Sequence, residues 1–281
     1  MTYQNIQVTP ISPSLGAEVT GVNLSSLPPE ALNEVRHAFL QHLFLSFPNQ
    51  DILPEELMDL GKHFGTLNIH PFLPNLDDHP EVMVLDKTED KTKNVGNGWH
   101  SDMTFLQAPP LGSILHAKIV PPTGGDTMFS NMYNAYDALS AGMQSLLANL
   151  KAVHDYTKRF LLAAREGRTT LSEEQVKQAQ TDYPQVEHPV VRTHPDTGRK
   201  LLFVNSFFTS HFKDMTPDES APLLEFLTNH IAKPEFGFRY SWQKNAIGFW
   251  DNRCTQHYAI NDYTGQRRRM YRVTINGDRP Y

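Results

Sequence analysis

The sequence predicts a mainly β protein, a sandwich or jelly roll with helices packed outside. Short runs rich in Val, Ile, Phe and Tyr recur along the whole chain, punctuated by Gly, Pro and Asp turns. Amphipathic stretches interrupt them without the regular strand–helix alternation of a parallel α/β sheet. The one Gly-rich segment, PPTGGDT at residues 121–127, lacks both the Gly-x-Gly-x-x-Gly spacing and the Lys of a phosphate loop, so nucleotide binding is not expected.

In chain order, NIQVTPIS and GAEVTGV read as two short strands around a turn. PPEALNEVRHAFLQHL opens with prolines and spaces Leu32, Val35, Phe39 and Leu43 along one helix face. LFLSF reads as a buried strand, LPEELMDLGKHFG as a second amphipathic helix, and EVMVLD as a strand. The polar stretch from Lys87 to Gly98 reads as a long mobile loop just before His100, either a lid that excludes water or only a flexible connection. Further strands are expected at GSILHAKIV, DTMFSN, HPVVRTH, KLLFVN, FGFRYSW, AIGFWD and MYRVTING. Helical segments fall at AYDALSAGMQSLLANL, SEEQVKQAQTDY and PDESAPLLEFLTNHI. No repeat or linker divides the chain, so residues 1–281 are read as one domain.

Composition narrows the function. A net charge of −6 offers no basic surface for nucleic acid or an anionic membrane. The single cysteine, Cys254, rules out an internal disulfide and any multi-cysteine metal site. No leader pattern and no spanning apolar run is present, so a cytoplasmic protein is expected.

Two His-x-Asp tripeptides occur. His194-Pro195-Asp196, followed by Thr197-Gly198 between two strand-like runs, most simply closes a hairpin at the surface. His100 and Asp102, in WHSDMTF, lie in an extended, partly buried setting where positions i and i+2 share a side. A third ligand is available downstream in His257. Arg268 follows eleven residues later, and alternation in RRRMYRVTI puts Arg268, Met270, Arg272 and Thr274 on one face and Arg267, Arg269 and Tyr271 on the other. Two inward arginines require anions, because a buried unpaired charge is costly and guanidinium suits carboxylate or sulfonate. Two His and one carboxylate suit a non-haem Fe(II) oxygenase with open positions for a cosubstrate and O2. The same set suits a zinc hydrolase, and a non-enzymatic jelly-roll binding module is the third alternative. Cys254 is read as a small buried hydrophobe, and His116, His154, His188 and His211 as structural.

Over nearly the whole chain the sequence closely resembles the Fe(II)/2-oxoglutarate-dependent dioxygenases of the taurine dioxygenase family, whose relatives also cleave alkyl sulfates and aryloxyalkanoates. LGAEVTGVNL, FGTLNIHP, WHSDMTF, PPTGGDT, HPVVRTHPDTGRK, LFVN, WDNRCTQHYAINDY and QRRRMYRVTINGDRP carry the likeness. The resemblance implies a double-stranded β-helix, with His100, Asp102 and His257 as iron ligands. Thr127 and Arg268 would bind the distal carboxylate of 2-oxoglutarate, Arg272 and His70 a substrate sulfonate, and Phe160 and Phe208 the substrate's apolar part. It further implies hydroxylation of the carbon beside the anionic group of a small organic sulfonate, with release of sulfite, aldehyde, succinate and CO2. The alternative substrates are an alkyl sulfate, an aryloxyalkanoate or another hydrophobic carboxylate. A homodimer or tetramer is implied too.

Three positions depart from the taurine-specific pattern: Leu73 replaces a tyrosine, Gly96 an asparagine near the substrate amine, and Arg159 a serine. Losing polar partners and gaining a cation, if Arg159 points inward, disfavours an ammonium, so a substrate without the amine is expected. The alternative, which keeps taurine as a substrate, is that Asn97 takes over from Gly96 by a small loop shift and that Arg159 faces solvent.

Overall fold

The computed structural model describes residues 3–70, 73–158 and 172–281. Its strands form two facing antiparallel layers, with helices covering the outer face of the larger. The major sheet runs in the order Gln7–Pro10, Ala17–Thr20, Phe44–Phe47, Ile247–Asp251, Gly112–Ile119, Arg268–Ile275 and Leu67–Asn68. Met83–Lys87 also pairs with Arg268–Ile275. Every pairing in it is antiparallel except that of Ala17–Thr20 with Phe44–Phe47. The minor sheet places Thr127–Asn131 between Gly237–Tyr240 and Thr255–Ala259. A further three-stranded sheet, Thr209–Phe212, Lys151–His154 and Val186–Pro189, extends the structure, and non-consecutive neighbours throughout give the jelly-roll winding.

Period-2 alternation assigns the two faces of the major sheet. Phe44, Leu115, Trp250 and Met270 point inward and pack with Phe129 of the minor sheet. On the same strands Leu45, Ile114, Phe249 and Val273 point outward, where helices Pro29–His42 and Pro54–Lys62 cover them with Phe39, Leu57 and Leu60. Phe39 stacks on Phe249 at 4.0 Å between centroids. Both helices begin at a proline, whose fixed φ suits the first helical position and whose missing N–H costs nothing there. Pro217–Ile231 starts with a reciprocal cap between Thr216 and Glu219.

The expected elements appear with local revisions. AYDALSAGMQSLLANL forms two short helices, Met132–Asp137 and Ala141–Leu147, the second restarted by the Ser140 cap. HPVVRTH splits into Val186–Pro189 and Val191–Thr193, which belong to different sheets. Lys87 ends a strand and is buried, so the irregular segment begins after it. That segment is tethered to the strand beyond His257: Ala259 N–H donates to Gly96 O at 2.9 Å, Asn94 to Ala259 O at 3.1 Å, and Asn261 to Thr92 O at 2.8 Å.

Candidate metal centre and cavity

His257 lies on Thr255–Ala259 of the minor sheet, and His100 joins it by an isolated antiparallel bridge. The two backbones exchange both hydrogen bonds, at 3.1 and 2.8 Å, which brings their rings to 4.2 Å. Asp102 is not in a strand, contrary to the extended reading of WHSDMTF. It opens a turn in which Met103 adopts a positive φ of 47°, and this bend, not pleat alternation, aims the carboxylate at the imidazoles. Asn252 fixes the turn. Its Oδ1 accepts from Asp102 N–H at 2.7 Å, and its Nδ2 donates to Asp102 O and Pro110 O, each at 3.1 Å.

Asp102 Oδ1 lies 3.7 Å from Nε2 of both His100 and His257, and all three residues are buried. His100 Nδ1 lies 2.7 Å from Gly98 O, a contact that places the ring proton on Nδ1 and leaves the Nε2 lone pair facing inward. Burial holds His257 well below the usual imidazole range, so it stays neutral. Burial alone would raise Asp102; Arg272 and the two histidines outweigh it and keep the carboxyl well below its ordinary range. Two imidazoles and one carboxylate, converging from one side, fit a divalent first-row metal.

The other His-x-Asp pair behaves as expected from its turn residues. Val191–Thr193 and Lys200–Leu202 form the arms of a hairpin across it. His194 is nonetheless buried and approaches Asp251 and Cys254. That cluster offers a metal no lone pair. His194 Nδ1 accepts from the Asp196 and Thr197 N–H groups, Nε2 lies 3.1 Å from Asp251 Oδ2, and Arg253 occupies both Asp251 oxygens. Burial pushes the Cys254 thiol well up, keeping it protonated.

The three converging ligands open into a cavity of about 860 Å3. Thr127, Arg268, Arg272, His70, Leu73, Gly96 and Phe208 all line it, as do Phe105, Phe207, Tyr156, Trp242 and Lys87. Asn97 does not: Gly96 turns the chain at φ +86°, and Asn97 stands exposed outside, so it cannot replace an asparagine at 96 by a small shift. Arg159 and Phe160 lie outside the described residues. Gly96 also gives His100 room, because a Cβ there would stand 3.3 Å from His100 Cε1.

Arg268 and Arg272 are each buried with the Nε lacking an acceptor among the described residues. Arg272 differs from expectation in one respect: one of its anions belongs to the chain. Its Nη2 donates to Asp102 Oδ2 and, at 2.6 Å, to Ser113 Oγ. Oδ2 is thereby engaged, and Oδ1 is the oxygen facing the histidines. Thr127 Oγ1 accepts from Trp242 Nε1 at 2.9 Å, which leaves its own proton to donate. Sequence reasoning missed Asn252, Trp242 and Phe207. Phe207 stacks on His100 at 4.5 Å, and only its place beside Phe208 hinted at a role.

A jelly roll holding such a donor set, open on one side to an arginine-walled cavity, has the make-up of a mononuclear non-haem iron oxygenase. The comparisons carry this further. The family profile described as "Taurine catabolism dioxygenase TauD, TfdA family" matches residues 7–274. An alkylsulfatase of Acinetobacter baylyi is 33% identical over 98% of this chain and 86% of its own. An alpha-ketoglutarate-dependent sulfate ester dioxygenase of Pseudomonas putida is 31% identical, over 98% and 91%. The crystal structure of a taurine dioxygenase from Burkholderia xenovorans superposes with a TM-score of 0.82 at 34% identity, covering 99% of this chain and 93% of that one. The chain belongs to the TauD/TfdA family of 2-oxoglutarate-dependent dioxygenases, which act with Fe(II), 2-oxoglutarate and O2 on small molecules. The zinc hydrolase and binding-module readings fall with that assignment.

Proposed function

We propose that this dioxygenase oxidises an organic sulfonate or sulfate ester that carries no amine, at the carbon beside its anionic head. His100, Asp102 and His257 hold the iron, Thr127 and Arg268 the distal carboxylate of 2-oxoglutarate, and Arg272 and His70 the substrate's head. The observation that carries the substrate reading is the state of the cavity's acids. Among the described lining residues the carboxylates are Asp86 and Asp102. Asp86 is taken by Arg267 at 2.7 and 3.1 Å, and Asp102 by Arg272. Neither is left to receive an ammonium, whereas Leu73, Met103, Phe105 and Phe208 offer apolar wall. The volume lies within the roughly 300–1,000 Å3 of drug-sized ligand sites, more than 2-oxoglutarate and a two-carbon sulfonate need.

The protein's own contribution is placement. Arg272 presents its unpartnered Nε to the substrate while Nη2 stays on Asp102, so substrate head and metal-ligand carboxylate share one rigid fork. Burial, with Arg272 nearby, pushes His70 down to about 4, so it acts as a neutral donor. Its Nδ1 accepts from Leu73 N–H at 3.2 Å, which puts the ring proton on Nε2. The aromatic wall of Phe105, Phe207 and Phe208 keeps water from the apolar part. Iron, when bound with 2-oxoglutarate, supplies O2 activation coupled to decarboxylation of the keto acid. Hydroxylation beside the head leaves an adduct that collapses to an aldehyde, with sulfite leaving from a sulfonate or sulfate from a sulfate ester.

The test is succinate formation by the Fe(II)-loaded enzyme with taurine, with amine-free alkylsulfonates and with alkyl sulfates of increasing chain length. Amine-free compounds of more than two carbons should give the higher kcat/KM. Preference for taurine, with matching sulfite release, would overturn the substrate assignment.

A further inference from the structure

We propose that Lys87 is a second cation for the distal carboxylate of 2-oxoglutarate, opposing Arg268 across the strand pair. The proposal rests on the assignment of Arg268 and Thr127 to that carboxylate. Lys87 and Arg268 are direct Cα partners in the antiparallel pairing of Met83–Lys87 with Arg268–Ile275. Directly opposed residues project from the same face, and both side chains line the cavity that Thr127 lines. Both are buried, at 5% and 8% exposure.

Among the described residues neither cation has a carboxylate within ion-pair distance. Lys87 Nζ donates to Tyr263 O at 3.3 Å and stands 4.1 Å from the centroid of the Tyr263 ring. Arg268 Nε has no acceptor, and its guanidinium lies 5.8 Å from the Trp242 ring. The neighbouring acids are committed elsewhere. Asp86 pairs with Arg267, Asp126 with Arg239 at 2.5 Å, and Asp262 with Arg239 at 3.0 Å and with Gly125 N–H at 2.7 Å. Like charges directly opposed on two strands destabilise the pair, and burial without a counter-ion adds to the cost. A bound carboxylate relieves both. It has two oxygens and about four lone-pair directions, enough for the Arg268 fork, the Thr127 hydroxyl and the Lys87 ammonium together. Lys87 keeps its bond to Tyr263 O with one proton and has two more to give.

Binding of 2-oxoglutarate and of pyruvate, which shares the keto acid but lacks the distal carboxylate, is measured by calorimetry on Fe(II)-loaded protein under nitrogen. Melting temperatures without keto acid are recorded in parallel. Lys87→Met and Lys87→Gln are each expected to weaken 2-oxoglutarate roughly 10- to 100-fold, the worth of a charge-assisted bond. They should change pyruvate little and leave the unliganded melting temperature equal or higher. Lys87→Arg should restore most of the affinity. Unchanged 2-oxoglutarate affinity overturns the proposal. So does equal weakening of both acids with a lower melting temperature, which would make Lys87 only a clamp on the Tyr263 carbonyl. Arg268→Met separates the two levels: if it too leaves 2-oxoglutarate binding intact, the assignment of Arg268 fails, and otherwise the failure belongs to Lys87 alone.

Discussion

Asn252 shows how much of a metal site lies outside its ligands. It satisfies the N–H and the C=O of Asp102 at once and spans to Pro110, so Asp102 has no freedom to swing. Asn252→Ala removes the partner of three buried backbone groups, which costs about 3 kcal/mol of stability. It should also weaken metal binding about 10- to 100-fold, the usual effect of losing such support. Calorimetric metal titration beside a melting curve separates the two effects; a stability loss with unchanged metal affinity would show that the turn keeps its aim without Asn252. Thr104 is anchored in the same spirit. His154 Nδ1 and Asn205 Nδ2 both lie 2.9 Å from its hydroxyl, and Asn205 Oδ1 accepts from the Phe207 and Phe208 N–H groups. One amide thus joins the turn after Asp102 to the ring that stacks on His100.

At the scale of elements, most of the fold is legible from pattern, because burial of one sheet face enforces alternation. RRRMYRVTI and GSILHAKIV pair at Arg272↔Leu115 and Val273↔Ile114, so inward and outward sets meet like with like. Less was legible where tertiary contacts decide. Thr255–Ala259 is polar and carries no strand signal of its own; its pairing with Thr127–Asn131 makes it one. Asp102's turn depends on Asn252, 150 residues away, which no local pattern announces. The candidate ligand trio drew notice only through long-range company, His257 with Arg268, and Arg272's bond to Asp102 was not readable at all. Two substitutions separate scaffold from site. Thr216→Ala removes the cap of Pro217–Ile231 and should cost about 1 kcal/mol, with turnover unchanged. Gly98→Ala should do the reverse. Its Cβ would fall 2.2 Å from Phe207 Cε1, displacing the ring that packs on His100, so metal affinity should fall while the melting temperature moves little.

Across the whole molecule, charge and acid stability follow from where polar groups are buried. The chain carries −6, yet Lys87, Lys91, Lys93, Arg268 and Arg272 line the cavity. A basic mouth in an acidic protein focuses anions, so kcat/KM should fall as ionic strength rises, and Lys91→Gln with Lys93→Gln should flatten that dependence. Buried histidines set the acid limit. His188 Nε2 lies 2.9 Å from Thr104 O and 3.0 Å from Leu106 O, while its Nδ1 is buried without a partner among the described residues. Burial, with Arg192 and Arg279 nearby, pushes it from 6.5 down to about 4. The unfolded chain therefore binds the extra proton first. The stability tied to neutral His188 is complete above pH 6.5 and is lost as pH falls through about 4. Melting temperatures between pH 7 and pH 5 should decline less steeply for His188→Gln than for the wild type; coincident slopes would assign the decline to other groups.

The sealed thiol of Cys254 has a use the enzyme itself does not make of it. As the chain's single cysteine, fully buried and protonated, it is invisible to disulfide reagents in the native state and reactive only after opening. Its labelling by an aromatic disulfide is therefore a built-in clock for global unfolding, read without any engineered probe. Under conditions where reclosing outpaces labelling, the rate reports the open population. Adding metal and then 2-oxoglutarate should slow the clock by the factor each ligand contributes to stability.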